Sequence, residues 1–373
     1  MDRREPTHDV AIYAPWAATM YSRSRGDTGG AELQTHLLAA GLAARGLSVA
    51  HIVFPIDDPE PMDASGPTVV QREPWQRGRR LGELAEARAI WRSFDAARAR
   101  AYIVRGSGGH MSAAAAYCRL RHKSLVFSSS SDLDWDFARE DRNHRTLRIY
   151  RASLRYADPV VVQTEQQRAL ARAALPGREP TLIPSFAEVA EPAKEPPGYF
   201  LWADRVVGYK LPERYLDLVA AMPEVRFRMV EATTIESQPD LVDRVRSRAA
   251  ELPNLELLPR QPRVRLLEEI AGAVAVVSTS RIEGMPNIFL EAWARSVPVL
   301  SLNVDPDAKI ADNGIGICAE GSMDRFAEGA SELWTDRPRR DEMGGRAREF
   351  VRRVHSPDAV ADRWAALLRE LVP

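Results

Sequence analysis

The chain has 373 residues, which is enough for two domains that each bury a core of their own. Its hydrophobic fraction of 45%, charged fraction of 28% and net charge of −1 are typical of a globular protein and argue against a nucleic-acid-binding one. The two cysteines are far apart in the sequence and predict neither a disulfide framework nor a metal site. Residues 1–9 lack the apolar segment of a signal peptide, and no apolar run approaches the ~20 residues of a membrane span, so we expect a cytoplasmic protein.

The first half of the chain alternates strands and helices. A strand over 10–13, a helix over 31–45 that ends at Gly46, and a strand over 48–54 form a βαβ opening, which predicts a parallel sheet. Gly29 and Gly30 precede that helix, where they can cradle a phosphate or form a simple turn. Further elements are predicted as helices over 81–99, 111–120 and 139–156 and strands over 102–105, 124–128 and 160–162, with a loop over 55–80.

A proline-rich stretch divides the chain. Residues 184–198 have no periodicity and predict a linker between an N-terminal domain, 1–183, and a second domain, 199–355. The second domain again alternates strands with helices until Asn313, after which the chain is predicted to be helical, ending in a helix over 356–373. Two βαβ domains joined by a linker predict a cleft between them, which is a favoured place for a small-molecule site.

The predicted helix over 139–156 is unusually basic. It carries arginine at positions 139, 142, 145, 148, 151 and 155. Such a face is either simply solvated or a patch for an anionic acceptor or a membrane surface. In the second interpretation Arg145 and Arg148 contact the acceptor.

The most informative stretch of the second domain contains two glutamates, Glu283 and Glu291. It follows a predicted buried strand over 273–277 and leads into a helix, with Gly284 and Pro286 in the turn between them. Ligands of an open α/β sheet bind at the carboxyl ends of its strands, and a helix N-terminus there favours phosphate. The stretch therefore predicts a site for a sugar nucleotide.

The spacing of these residues resembles the paired-glutamate motif of the retaining glycosyltransferases of family 4. Arg205 and Lys210 follow the first strand of the second domain and match the family's diphosphate-binding pair. The glycine loop at Gly29, and residues 312–314 and 343–348, also follow the family pattern. The resemblance covers most of the chain and is densest over 200–348. It implies the GT-B fold: two Rossmann-like α/β domains that face each other across a cleft, with a C-terminal helix crossing back to the first.

The resemblance also implies residue roles and a reaction. Arg205 and Lys210 would hold the donor diphosphate, Glu291 the ribose hydroxyls and Glu283 the sugar. The full implied donor site is Gly29, Gly30, Arg205, Lys210, Glu283, Gly284, Met285, Pro286, Asn287, Ile288 and Glu291. The donor would be a nucleoside-diphosphate sugar, with a UDP-sugar favoured over a GDP- or ADP-sugar. The acceptor would be a sugar, a glycoside or a lipid-linked molecule at the inner face of the membrane, and no metal or other cofactor is required.

One position departs from the family pattern. Many members carry a histidine after the strand over 124–128, whereas this chain has serines followed by Asp132. Ser129 or Asp132 are candidate substitutes, and His110, on the neighbouring turn, is the nearest imidazole. Asp132 and Asp134 also resemble the metal-binding pair of another glycosyltransferase fold, but their position favours acceptor recognition or turn capping.

Two other functions fit parts of the sequence. A nicotinamide-dependent dehydrogenase would also have Rossmann-like domains, but the first βα turn lacks the Gly-x-Gly-x-x-Gly motif. A catalytically inactive partner subunit would explain the missing histidine. The retention of Arg205, Lys210, Glu283 and Glu291 favours an active enzyme over both alternatives.

Overall fold

The computed structural model describes residues 5–23, 29–61, 63–74, 82–137, 143–191, 198–234 and 237–372. The chain divides into two compact units, one formed by residues 1–186 and 357–373 and the other by residues 187–356. The division falls inside the proline-rich stretch 184–198, of which residues 192–197 lie outside the described ranges.

The first unit is built on a parallel sheet. Its strands are β1 (His8–Tyr13), β2 (Val49–Val53), β3 (Thr68–Gln71), β4 (Ala99–Arg105), β5 (Ser124–Ser128), β6 (Val160–Val162) and β7 (Thr181–Leu182). Their order across the sheet is β3-β2-β1-β4-β5-β6-β7, and neighbouring strands are parallel. The helices between them are α1 (Gly30–Ala43), α2 (Gly82–Ala97), α3 (Gly109–Arg121), α4 (His144–Leu154) and α5 (Glu165–Ala174). The predicted βαβ opening is confirmed by β1, α1 and β2.

The ends of these helices follow from local sequence. α1 stops just before Gly46, which has a φ of 80° that side-chain-bearing residues rarely adopt. At the start of α5 the Thr164 hydroxyl accepts a hydrogen bond from the Gln167 amide at 3.1 Å, as its capping pattern predicts. Of the predicted basic helix over 139–156, the structure describes α4 as His144–Leu154, so the helix ends before residue 156, and residues 138–142 lie outside the described ranges.

The second unit has its own parallel sheet. Its strands are β8 (Tyr199–Arg205), β9 (Phe227–Ala232), β10 (Leu255–Pro259), β11 (Ala273–Ser278), β12 (Val299–Ser301) and β13 (Gly316–Cys318), in the order β10-β9-β8-β11-β12-β13. Its helices are α6 (Pro212–Ala221), α7 (Pro239–Ala250), α8 (Arg263–Ala271), α9 (Asn287–Trp293), α10 (Lys309–Asn313), α11 (Met323–Thr335) and α12 (Arg337–Val354). All six residues of β11 are buried, as its apolar run predicts.

Two strands of the structure were not predicted from the sequence. Residues 68–71 were expected to be loop but form the edge strand β3, and residues 316–318 were expected to be helical but form β13. Both strands are short, lie at or near the edge of a sheet and contain no fully buried residue. Such strands lack the hydrophobic pattern on which a sequence-based assignment depends.

The last helix, α13 (Pro357–Leu371), belongs to the first unit. It packs against α1 so closely that a Cβ added to Gly41 would lie 2.8 Å from the Cβ of Ala361. Among the residues that the structure describes, no helix is both long enough and apolar enough to cross a membrane.

Candidate active site

Two turns at the carboxyl edge of the second unit's sheet are locked to each other. One follows β8 and the other follows β11. The Thr279 hydroxyl accepts a hydrogen bond from Trp202 Nε1 at 3.0 Å and donates one to the Lys210 carbonyl at 2.7 Å. The Arg281 amide donates to the Tyr209 carbonyl at 2.8 Å. These bonds join the turn that carries Lys210 to the turn that carries Glu283.

Lys210 is the centre of this arrangement. Its side chain is only 8% exposed, and its ammonium lies 2.5 Å from Asp204 Oδ2 while also contacting Glu283 Oε1. Burial alone would lower the pKa of Lys210, but the charges of Asp204 and Glu283 outweigh it and hold this pKa above its ordinary value. Lys210 is therefore charged over the physiological range and is held at the site by two carboxylates.

Arg205 lies beside this cluster at the end of β8. Its guanidinium donates to the hydroxyl of Tyr209, and its backbone amide donates to Asp204 Oδ1 at 2.7 Å. Burial raises the pKa of Tyr209, so the phenol stays neutral. Arg205 and Lys210 thus present two cations on one turn, as their spacing in the sequence predicts.

Glu291 has a basic partner of its own. Its carboxylate contacts the guanidinium of Arg263, at the start of α8, and both side chains are largely buried, with 12% and 26% exposed. Each glutamate of the motif is therefore paired with a cation from a different element. Neither Asp204 nor Arg263 was predicted from the sequence to be a site residue. Asp204 directly precedes Arg205, which was a usable signal, but nothing in the sequence brings Arg263 near Glu291.

The turn between the glutamates is well packed. Gly284, Met285 and Pro286 are buried, and α9 begins at Asn287, with Ile288 half-buried. The side-chain amide of Asn303 donates to the carbonyls of Thr279 and Ser280 at 3.1 and 3.2 Å and so fixes the start of the turn.

In the first unit, the predicted acceptor contacts Ser129 and Asp134 are part of the internal structure. Ser129 is fully buried, and its hydroxyl accepts from Trp135 Nε1 at 3.1 Å. Asp134 Oδ2 accepts from the Ser130 amide at 2.6 Å, and Oδ1 accepts from the Ser107 amide at 2.9 Å. Ser129 therefore cannot contact an acceptor in this conformation, which corrects that expectation. The geometry of Asp134 is that of the turn-capping alternative, because it ties together the turns after β4 and β5.

The remaining candidates of the first unit are dispersed. His110 stacks on Tyr13 with ring centroids 5.9 Å apart, and its Nε2 lies 3.2 Å from the Gly106 carbonyl of its own turn. Asp132 is buried, with 5% of its surface exposed. The other four lie at element ends or on the surface: Gly29 and Gly30 at the start of α1, and Arg145 and Arg148 on the exposed face of α4.

A small cavity with both polar and apolar lining lies at the carboxyl ends of β4, β5 and β6. Arg105, Ser128 and Gln163 line it together with Trp364 of α13, and its volume is about 20 Å³. Arg105 Nη1 donates to the Ser128 hydroxyl at 3.1 Å, and burial lowers the pKa of Arg105 to about 10. Since this volume holds roughly one water molecule, the cavity is part of the unit's internal packing.

Within the described ranges, no three histidine, cysteine, aspartate or glutamate side chains come together as metal ligands. The expectation that catalysis requires no metal stays a prediction.

Two units with parallel sheets, the second with paired cations and carboxylates at the carboxyl edge of its sheet, form the architecture of a GT-B glycosyltransferase. Residues 29–185 match the glycosyl transferase 4-like domain, and residues 187–350 match the glycosyl transferases group 1 domain. The chain belongs to the glycosyltransferase family that is built from these two domains.

Solved structures agree on the fold. Sucrose-phosphate synthase from Thermosynechococcus elongatus is 18% identical, with a TM-score of 0.79 and 99% of each chain covered. The Anabaena protein HepE, solved in complex with UDP and glucose, is 14% identical, with a TM-score of 0.77 and 97% of this chain and 99% of the other covered. At these identities the likeness concerns the fold alone, and it confirms the predicted pair of Rossmann-like domains.

A curated relative matches a shorter stretch. The GDP-mannose-dependent alpha-(1-6)-phosphatidylinositol monomannoside mannosyltransferase of Mycobacterium tuberculosis is 37% identical over 91 residues, which is 24% of this chain. The match spans 23% of that relative's length.

Proposed function

We propose that this glycosyltransferase moves a sugar from a nucleoside-diphosphate sugar to an acceptor hydroxyl with retention of anomeric configuration. The observation that carries the proposal is the locked pair of turns on which Arg205 and Lys210 lie beside Glu283. A diphosphate brings about two negative charges, and the arginine fork and the lysine point charge are complementary ways of binding them. Glu283 then holds the sugar and Glu291 the ribose.

The reaction breaks the bond between the sugar C1 and the diphosphate oxygen and forms a bond from C1 to the acceptor oxygen. The proton of the acceptor hydroxyl passes to the departing diphosphate oxygen on the same face. The protein therefore needs no nucleophile of its own. Its contribution is to position both substrates and to stabilise the charge that develops on the leaving diphosphate, the role assigned here to Arg205 and Lys210.

The donor we favour is a UDP-sugar. A GDP-sugar is the second candidate, because the relative that is 37% identical over 91 residues uses GDP-mannose. Thermal-shift titrations with UDP, GDP and ADP separate these donors, since a ligand that binds the folded state raises the melting temperature by mass action. Stabilisation by a nicotinamide dinucleotide and by none of the three diphosphates would refute the proposal. Binding without transfer or slow hydrolysis of any sugar nucleotide would instead support an inactive partner subunit.

Arg205→Ala tests the diphosphate contact. Loss of a charge-assisted hydrogen bond worth ~1.5–3 kcal/mol should raise the Kd for the nucleoside diphosphate at least tenfold. Arg214→Ala is the matched control, because Arg214 is a surface arginine of the same unit, paired with Asp217 at 3.2 Å. An unchanged Kd in Arg205→Ala would contradict the assignment. Lys210→Ala is the less clean variant, because it leaves Asp204 and Glu283 without their shared cation and also lowers stability.

We also propose that α4 contacts the acceptor, either an anionic molecule or one anchored at the inner face of the membrane. Arg145, Arg148 and Arg151 are exposed, and Ile149 between them is 48% exposed. Basic residues around an exposed apolar side chain favour an anionic lipid surface. The triple change of these arginines to glutamine should abolish sedimentation with vesicles that contain anionic lipid. Equal binding of both proteins to anionic and neutral vesicles would contradict the proposal.

A further inference from the structure

The positive charge of Lys210 is compensated by neighbouring carboxylates before any ligand binds. Its ammonium lies between Asp204 and Glu283, and the Asp204 side chain is itself held in place, because its Oδ1 accepts from the Arg205 amide. The cluster contains two cations, Arg205 and Lys210, and two carboxylates, so its formal charge is zero. A nucleoside diphosphate therefore meets a site whose positive charge is already compensated.

Asp204 and the donor diphosphate compete for the same cation. Asp204 Oδ2 lies 2.5 Å from Lys210 Nζ and so occupies the place of a phosphate oxygen, which would accept a charge-assisted hydrogen bond from the same ammonium at about 2.7–2.9 Å. Two of the three N–H donors of the Lys210 ammonium are taken by carboxylates, and the side chain is 8% exposed, so a phosphate that binds this ammonium competes with Asp204 and Glu283. Glu283 has the sugar as an alternative partner in the proposed reaction, whereas Asp204 has none assigned.

We infer that Asp204 is a resident counter-ion that the donor diphosphate displaces from Lys210. It is a positioning residue that acts through Lys210: it pairs with the ammonium while no diphosphate is bound, and it weakens the binding of the nucleoside diphosphate that is left after transfer. Product release limits turnover in many enzymes, and a carboxylate that recaptures Lys210 speeds this release. The inference rests on the proposed function, because it requires Lys210 to bind the diphosphate.

Whether Asp204→Asn lowers or raises the Kd for the nucleoside diphosphate distinguishes this role from a merely structural one. If Asp204 competes with the diphosphate, Asp204→Asn lowers the Kd for the nucleoside diphosphate by about tenfold and slows its dissociation. If Asp204 only anchors Lys210, the same change loosens the lysine and weakens binding. Asp204→Ser makes the same test should Asn impair folding.

Glu231→Gln is the matched control. Glu231 lies opposite Asp204 in the register of β8 and β9 and is 7% exposed, but its carboxylate is paired with Arg246 at 2.5 Å and not with Lys210. The Glu231→Gln substitution removes one negative charge from the same edge of the sheet as Asp204→Asn does. The Kd of this variant should stay within about twofold of wild type, because the Glu231 carboxylate pairs with the half-exposed Arg246 and does not compete for Lys210.

Calorimetric titration of wild type, Asp204→Asn, Glu231→Gln and Arg205→Ala with UDP, GDP and ADP decides the matter. Tighter binding in Asp204→Asn alone, with weaker binding in Arg205→Ala, supports the inference. Unchanged or weaker binding in Asp204→Asn, or equal tightening in Glu231→Gln, overturns it while leaving the proposed function intact. No binding of any diphosphate by wild type, or no effect of Arg205→Ala, overturns the proposed function and this inference with it.

Discussion

At the scale of the residue, the second unit's site is organised by pairs of opposite charge. Glu283 is held by Lys210 from the turn after β8, and Glu291 is held by Arg263 from the start of α8. Pairs with so little exposure are costly to bury, and removing one partner leaves the other charged and poorly solvated. These cations therefore fix the orientation of the two carboxylates that are proposed to bind sugar and ribose.

Arg263→Met tests this positioning. Glu291 is 12% exposed, so without its partner the carboxylate will turn towards solvent, and this change removes a prepared acceptor for the ribose hydroxyls. We expect the Kd for the nucleoside diphosphate to rise about tenfold in calorimetric titrations.

Arg265→Met is the control for that change. Arg265 lies on the same helix, but its partner is Glu268, three residues along α8, and its side chain is 69% exposed. The control should bind the diphosphate as wild type does. Equal affinities in all three proteins would show that Arg263 has no part in holding the nucleotide.

The position of a site residue was predictable from the sequence where it depends only on neighbouring residues of the chain. Arg205 and Lys210 lie on one turn, and their spacing alone places both cations at the end of β8. Ser129 was placed at the right edge of the sheet but expected to face an acceptor, whereas it is fully buried, and for Asp134 the turn-capping alternative has the geometry that the structure shows. Whether a polar side chain in a turn faces solvent or the next turn depends on contacts between distant segments, such as the bond from the Ser107 amide to Asp134.

At the scale of the element, strand–turn–helix units were predictable where strands are buried and helices are capped. β11 has a strong signal of this kind and was found where the buried strand over 273–277 was predicted, and Thr164 caps the start of α5. β3 and β13 have almost no pattern of their own and become strands because a neighbouring strand offers hydrogen bonds. The packing of α12 against the turn at Ser296 likewise depends on tertiary structure that no local pattern contains.

Two adjacent glycines in α12 make that packing testable. A Cβ at Gly344 would lie 2.0 Å from the Ser296 carbonyl oxygen, whereas a Cβ at Gly345 would have no neighbour within 4 Å. Gly344→Ala should therefore lower the free energy of unfolding by about 1–3 kcal/mol through overpacking. Gly345→Ala should raise it by about 0.5–1 kcal/mol, because alanine favours the helix.

Urea denaturation of the two variants measures both effects. Each serves as the other's control, since both replace a glycine by alanine in the middle of one helix. Stabilisation of both variants would mean that α12 does not approach Ser296 as closely as the structure has it.

At the scale of the whole molecule, the C-terminal end of the chain belongs to the same unit as its N-terminal half. Residues 357–373 come last but complete the first unit, where α13 covers the core that α1 and β1 share. Arg45, which follows the end of α1, reinforces this contact through Asp362 at 2.6 Å and Asp358 at 3.2 Å. These ion pairs are exposed and contribute little, so the stabilisation must come from apolar burial.

Trp364→Ala tests that conclusion. Trp364 is 4% exposed and packs in the core cluster that contains Val10, Ile12 and Leu38. Its removal should cost about 3–5 kcal/mol of unfolding free energy, as large-to-small changes of buried aromatic residues do. Hydrogen exchange should become faster in α1 and β1, because the helix that covers them is held less firmly.

Arg363→Ala, an exposed change on the same helix, should leave exchange in α1 and β1 unaltered. Unaltered exchange there in Trp364→Ala as well would mean that the first unit is stable without the returning helix, and that residues 357–373 serve some purpose other than completing its core.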